Sequence, residues 1–162
     1  MRVVNKDSGE KFMLSAIAKA KQGIKNGQSP FGACIIRRGV VISCAHNLVW
    51  KNTDITAHAE ICAIRDACKK LNSVDLSGCV IYSTCEPCPM CFSAIHWARI
   101  KEIIYGVGIK DAKRFGFNEL SVSNKRLKEI GRSRIKINGG FLREENLGLF
   151  EHWASIEGKR VY

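Results

Sequence analysis

The chain has 162 residues, enough for one domain to bury a core without covalent or metal staples. Its 46% apolar and 25% charged residues exclude a disordered or fibrous chain, and no apolar run approaches the roughly 18 residues a membrane span needs. The formal charge of +11 favours anions, yet the densest basic run, KRLKEIGRSRIK at 125–136, is broken by Leu127, Ile130 and Ile135 in the manner of a solvated helix and strand rather than an RNA-binding tail.

The first residues, MRVVNKDSGEKF, carry charges where a signal peptide would have its apolar stretch, which points to the cytoplasm. From 9 to 25, Met13, Ile17, Ala20 and Ile24 recur at helical spacing, and Gly27 ends the helix. GACIIRRGVVISCAHN reads as two β-rich runs around Arg38-Gly39, a hairpin. TAHAEICAIRDACKKLN is helical, with Thr56 as N-cap and Ile61, Ile64, Ala67, Cys68 and Leu71 as the buried stripe. GCVIYST is a buried strand, Pro87 precedes a helix in CPMCFSAIHWAR, and KEIIYGV is a further strand. This βαβ succession predicts an α/β layered domain. Beyond Gly108 the pattern weakens to a loop, a helix over 118–130, a strand over 134–137 and a last helix from Arg143. With no repeat or linker, 1–162 reads as a single domain.

Eight cysteines mostly occupy apolar stretches, where they behave as small hydrophobes rather than as a disulfide framework. STCEPCPMC at 83–91 is different. Cys85 closes a strand, whereas Cys88 and Cys91 share one face of a helix's first turn, whose N-terminus favours thiolates. His58 in TAHAE stands at another helix start. A redox pair leaves that histidine unexplained. A closed structural zinc site of three cysteines and His58 has no use for an adjacent acid. A catalytic zinc held by His58, Cys88 and Cys91, with a fourth position for water, does. Glu60 is then the proton carrier, and Cys85 a buried neighbour. His-x-Glu followed by Pro-Cys-x-x-Cys is the signature of zinc nucleobase deaminases.

Through TAHAEICAIR and CEPCPMCFSAIHWAR the sequence resembles the cytidine deaminase superfamily, and within it the bacterial guanine deaminases. SPFGACII is similar to that group's Pro-Phe-Gly-Ala strand, HWAR carries its tryptophan, and GFNE matches its Gly-Phe-acid loop. The resemblance implies a three-layer α/β/α sandwich with a five-stranded mixed sheet. It also implies a homodimer in which the C-terminal segment, about 143–162, is exchanged between subunits. His58, Cys88 and Cys91 would bind zinc, Glu60 would shuttle the proton, and Glu119 would assist at the amino group. Phe31, Asn47, Trp97 and Tyr162 would form the base pocket. His46 and His96 read as structural. The expected reaction is hydrolysis of guanine to xanthine and ammonia. The alternatives are a tRNA adenosine deaminase, a guanosine, cytosine or aminotriazine deaminase, and a zinc-stabilised binding module.

Overall fold

The computed structural model describes residues 6–162; the first five residues of the charged N-terminal stretch lie outside them. Helix α1 (Lys6–Lys25) precedes strands β1 (Gly32–Arg37) and β2 (Val40–His46). Next come a one-turn helix α2 (Val49–Asn52), helix α3 (Ala59–Leu71), strand β3 (Cys79–Cys85), helix α4 (Pro89–Trp97) and strand β4 (Glu102–Val107). The chain ends with α5 (Ile109–Arg114), α6 (Asn124–Ile130), β5 (Lys136–Asn138) and α7 (Arg143–Ala154).

The expected stripe of α1 is buried: Met13, Ile17, Ala20 and Ile24 all pack inward, and Met13, Ile17 and Ile24 each contribute roughly 1.5–3 kcal/mol by removal from water. Arg38 and Gly39 both adopt positive φ, 51° and 79°, the two-residue turn whose twist matches a hairpin. The five strands form one mixed sheet in the order β2-β1-β3-β4-β5. β1 runs antiparallel to β2 and β3, while β3, β4 and β5 are parallel. One face carries Phe12, Met13, Ala16 and Ile17 of α1 against Cys34, Ile36, Tyr82 and Ile104. The larger core on the other face brings Cys62, Ala63 and Ala67 of α3 and Phe92 and Ile95 of α4 against Ile35, Ile81 and Ile103. The sandwich and its five-stranded mixed sheet are thus as expected.

Four local expectations change. α3 begins at Ala59 with His58 as N-cap, whereas the Thr56 hydroxyl and N–H both bond to Asp54 Oδ1 in the preceding turn. Its fully buried face is Ala59, Cys62, Ala63 and Ala67, with the larger Ile64, Cys68 and Leu71 only partly covered, because small residues let the helix lie close to the sheet. The helix expected over 118–130 forms only as α6, while the loop expected after Gly108 begins with the short α5 before an irregular stretch at 115–123. Cys34 and Cys44, expected to be separate hydrophobes, are facing register partners of β1 and β2 with Cα atoms 4.1 Å apart and form a cross-strand disulfide. The other six cysteines are free.

The strand directions decide where chemistry can sit. Because β1 is antiparallel to both neighbours, its start pairs with the ends of β2 and β3: Gly32 faces His46, and Ala33 faces Ser83. A Cβ at Gly32 would overlap the Ala16 carbonyl of α1, so only glycine lets the strand begin this close to the helix. Phe31, Asn47 and the Cys85-Glu86-Pro87 turn therefore leave the sheet at a single edge.

Candidate metal centre

α3 and α4 point their N-termini at this edge. His58 and Cys88 are their N-cap residues, both in extended backbone conformation, and Pro89 at N1 costs α4 nothing because that position needs no N–H. Cys91, three residues after the cap, rises from the first turn beside Cys88. The His58 Nδ1 atom lies 3.6 Å from the Cys88 Sγ and 3.6 Å from the Cys91 Sγ, and the three donor atoms lie within 4.8 Å of one another. Two donors on a tetrahedral zinc, at about 2.0 Å for nitrogen and 2.3 Å for sulfur, stand about 3.6 Å apart. The donor set and its spacing fit that ion. Cys85 stays out of the cluster; its buried thiol approaches only the Gly108 carbonyl, at 3.9 Å.

The electrostatics suit a cation. The Cys91 hydrogen bond brings the Cys88 thiol down to about 4 against its own desolvation, with His58 adding to the effect. Cys91 is correspondingly pushed up, first by that same hydrogen bond and then by burial. The pair thus holds one thiolate and one proton, and a bound metal would release the second proton. Burial opposes charge on His58, yet its bond to Cys88 and the nearby Glu60 together raise its pKa.

Glu60 occupies the second position of α3 and is only 5% exposed. Its Oε1 accepts from the Ser83 hydroxyl at 3.1 Å, and its Oε2 lies 3.6 Å from the Cys91 sulfur. Desolvation pushes its pKa up, as a group that must carry a proton near neutrality requires. Ser83, unnoticed in the sequence, orients this carboxyl. Its signal was available: the alternation of β3 aims it toward the same core as Ile81.

Glu119 lies on the loop before α6. With Phe31, His58, Glu60, Cys85, Glu86 and Cys88 it lines an inner recess of about 10 Å³, the size of one water. It also lines the outer cleft of about 260 Å³ with Ile55, Met90, Asn118 and Tyr162. Burial and the Cys88 charge push its carboxyl up to about 7. Phe31 is fixed edge-on between Phe117 and Phe150, with centroids 4.8 and 5.4 Å away.

Asn47 is wholly buried; its Oδ1 accepts from the Val49 N–H, and its Nδ2 donates to the Tyr162 hydroxyl at 2.6 Å. Tyr162 of the same chain stands 5.6 Å from the His58 ring and 5.7 Å from Phe117, and its carbonyl accepts from the Asn118 N–H. The guanidinium of Arg160 lies over the Trp50 ring at 4.4 Å, and Trp50 in turn meets Tyr162 edge-on. Trp50 and Arg160 carried no motif to mark them. Trp97 is not brought to this cleft. It ends α4, 79% exposed, on a separate groove with His96, Leu127 and Ile130. His46 bonds the Asn47 carbonyl, and His96 bonds Ser133.

A histidine and two cysteines at paired helix starts, with a buried carboxyl beside them, are the arrangement of a metal-dependent hydrolytic deaminase. The model of the cytidine and deoxycytidylate deaminase zinc-binding region matches residues 6–107. The guanine deaminase of Bacillus subtilis (strain 168) is 38% identical over 94% of this chain and 98% of its own; its solved structure superposes with a TM-score of 0.66. A solved guanine deaminase from Nitrosomonas europaea is 26% identical with a TM-score of 0.83, covering 90% of this chain and 84% of that one. The tRNA-specific adenosine deaminase of Aquifex aeolicus (strain VF5) is 45% identical, but over 59% of this chain and 64% of its own. The chain belongs to the cytidine and deoxycytidylate deaminase family, and is an aminohydrolase of that type.

Proposed function

We propose that the protein is a zinc-dependent guanine deaminase, converting guanine and water to xanthine and ammonia. The observation that carries this reading is the seating of Tyr162 on buried Asn47, which narrows the mouth beside the metal triad to a cleft of about 260 Å³. Such a mouth suits a free planar base better than a nucleotide still in a polymer, which needs an open pocket and a groove for phosphates. The near end-to-end similarity to the Bacillus subtilis guanine deaminase supports the same substrate.

His58, Cys88 and Cys91 would hold the zinc, which when bound makes a water acidic enough to attack near neutral pH. Glu60 accepts the proton that the water loses, and returns it to the ring nitrogen next to the carbon bearing the amino group. Glu60 then takes the second proton of the added water as the new carbonyl forms, and that proton, delivered by Glu60 or relayed through Glu119, converts the departing amino group to ammonia. Phe31 supplies an aromatic wall, and Asn47 and Tyr162 supply hydrogen bonds to the base edge.

The direct test is ammonia release over a panel of guanine, guanosine, cytosine, aminotriazines, adenine and tRNA. Guanine should dominate. The charge of +11 and the tRNA-enzyme similarity favour a second reading. Turnover of tRNA that falls steeply with salt, together with none of guanine, would select it. Zinc without ammonia from any substrate would leave a binding module.

We further infer a homodimer that exchanges the segment 143–162, working in the cytoplasm, where six of the eight cysteines stay reduced and the Cys34–Cys44 bridge is the exception. At 38% identity the Bacillus subtilis chain superposes less well than the Nitrosomonas europaea one does at 26%. A segment placed differently in one chain gives that pattern, and an exchanged tail is such a segment. Trp97, remote from this chain's cleft, could stack on a base only in a neighbouring copy. Among the described residues no helix is long and apolar enough to cross a membrane.

Deleting Tyr162 should leave zinc content nearly unchanged, lower the melting temperature modestly as buried Asn47 loses its partner, and lower activity on guanine by well over tenfold, a loss above about 1.4 kcal/mol in transition-state binding. Mixing that variant with Glu60→Gln and allowing subunits to re-equilibrate then tests the exchange. An exchanged tail restores activity, because the Glu60→Gln subunit lends Tyr162 to a site with intact Glu60. A tail that stays on its own subunit restores none.

A further inference from the structure

We infer that Glu86, the acid of the Cys-Glu-Pro-Cys turn, is a positioning residue that holds Glu119 at the candidate site; the inference rests on Glu119 acting at the amino group. Glu86 is 8% exposed and pairs with no cation among the described residues. Each of its oxygens instead takes a backbone N–H. Oε1 accepts from Asn124 at 2.8 Å, and Oε2 accepts from Ile109 at 3.2 Å. These residues open α6 and α5, so one carboxylate grips both ends of the segment 109–124 that carries Glu119. A buried carboxyl needs hydrogen bonds to replace its lost hydration, and here those bonds all run to this one segment.

The rest of the turn acts in the same direction. The Glu86 N–H donates to the Val107 carbonyl at 2.8 Å, fixing the turn to the end of β4. The Asn124 side chain donates back to the Pro87 carbonyl. Glu86 also forms part of the wall of the inner recess beside Glu60, Cys88 and Glu119. Two residues before a metal ligand, it therefore couples the metal turn to the loop that faces the metal. A neutral glutamine cannot serve this segment. Its one carbonyl oxygen can meet one N–H, while its amide N–H₂ is aimed at the other.

The test uses steady-state kinetics on guanine with zinc content measured in parallel. Glu86→Gln should lower kcat by roughly 10- to 100-fold, the scale of a misplaced catalytic group, with KM changed less than about threefold and zinc retained. Combining it with Glu119→Gln should lower kcat little beyond Glu119→Gln alone, since both changes remove one contribution. A second pair of variants avoids the metal turn. Asn124 is the first residue of α6, after Ser123 at φ −68° and ψ 154°, a position where proline is accepted and its predecessor already suits it. Asn124→Pro deletes the N–H that Glu86 receives, and Asn124→Ala keeps it. The proline variant should fall about tenfold or more below the alanine variant in kcat at similar melting temperature. Equal kcat in the two Asn124 variants, unchanged kcat in Glu86→Gln, or penalties that multiply with Glu119→Gln would each overturn the inference. If Glu119→Gln alone keeps full kcat, it is the assignment of Glu119 that fails.

Discussion

Glu60→Gln is expected to retain zinc and fold and to lose turnover. The amide has the carboxylate's shape and can still accept from the Ser83 hydroxyl through its oxygen, so orientation survives. It cannot accept the proton that water must lose or deliver it to the base. Proton transfer by a positioned group is worth about 10²- to 10⁴-fold, and here one residue serves at least two transfers, which places the loss at the upper end or beyond. Stability should move the other way. Burial holds the Glu60 pKa above the ordinary carboxylate range. A group raised in this way lowers folded stability as pH climbs from the unfolded pKa toward the folded one. Replacing it with a neutral amide removes that cost, so the metal-free variant should melt at or above the temperature of the metal-free parent near neutral pH. Ammonia release, metal analysis and a melting curve measure all three. More than a few per cent of residual activity would end the assignment of Glu60.

His58→Ala, Cys88→Ser and Cys91→Ser should each deplete the metal and with it all measurable activity, whereas Cys85→Ser should keep both. The three donors are mutually spaced for one ion, and no neighbouring thiol can substitute, since Cys85 lies across the recess with its sulfur toward Gly108. Each depleted variant also loses the stabilisation that a metal bound only to the folded state supplies, so its melting temperature should fall. Chelation of the parent protein should reproduce that fall, because a ligand that binds only the folded state stabilises it by an amount that grows with the logarithm of its free concentration over Kd. If Cys85→Ser loses metal as readily as the others, the site is a closed one with four protein ligands and the hydrolytic reading fails.

The metal half of the site was legible because its chemistry depends on short spacings. His58-x-Glu60 and Cys88-x-x-Cys91 each lie within one helical turn, so local geometry alone brings their groups together. The apolar strands and the α1 stripe were legible for the same reason, since periodicity is a local signal. The helix expected over 118–130, of which only Asn124–Ile130 forms, shows where this ends. Residues 115–123 stay irregular because their backbone groups answer to distant partners: Asn118 to the Tyr162 carbonyl, and Asn124, just beyond, to Glu86. Thr56 was a reasonable cap by composition, yet Asp54 takes its hydroxyl in the turn that delivers His58. The facing of Cys34 and Cys44 depends on hairpin register, which a cysteine count does not contain. Trp97 joined the pocket by resemblance, and its position in the fold is set by the far end of α4.

The order of the elements carries a consequence for how this scaffold can change its trade. The family match stops at residue 107, the last residue of β4, and by then the three donor residues, Glu60 and Ser83 have all been supplied. The 115–123 loop and the tail to Tyr162, both beyond that point, shape the mouth without contributing a donor to the metal. The metal donors and Glu60 thus come from one stretch of chain and Glu119 and Tyr162 from the next, the two joined through the grip of Glu86 and the seat of Tyr162 on Asn47. A lineage could revise the mouth residues around Glu119 while keeping the metal donors and Glu60 in place, so that new substrates are reached without losing the metal centre.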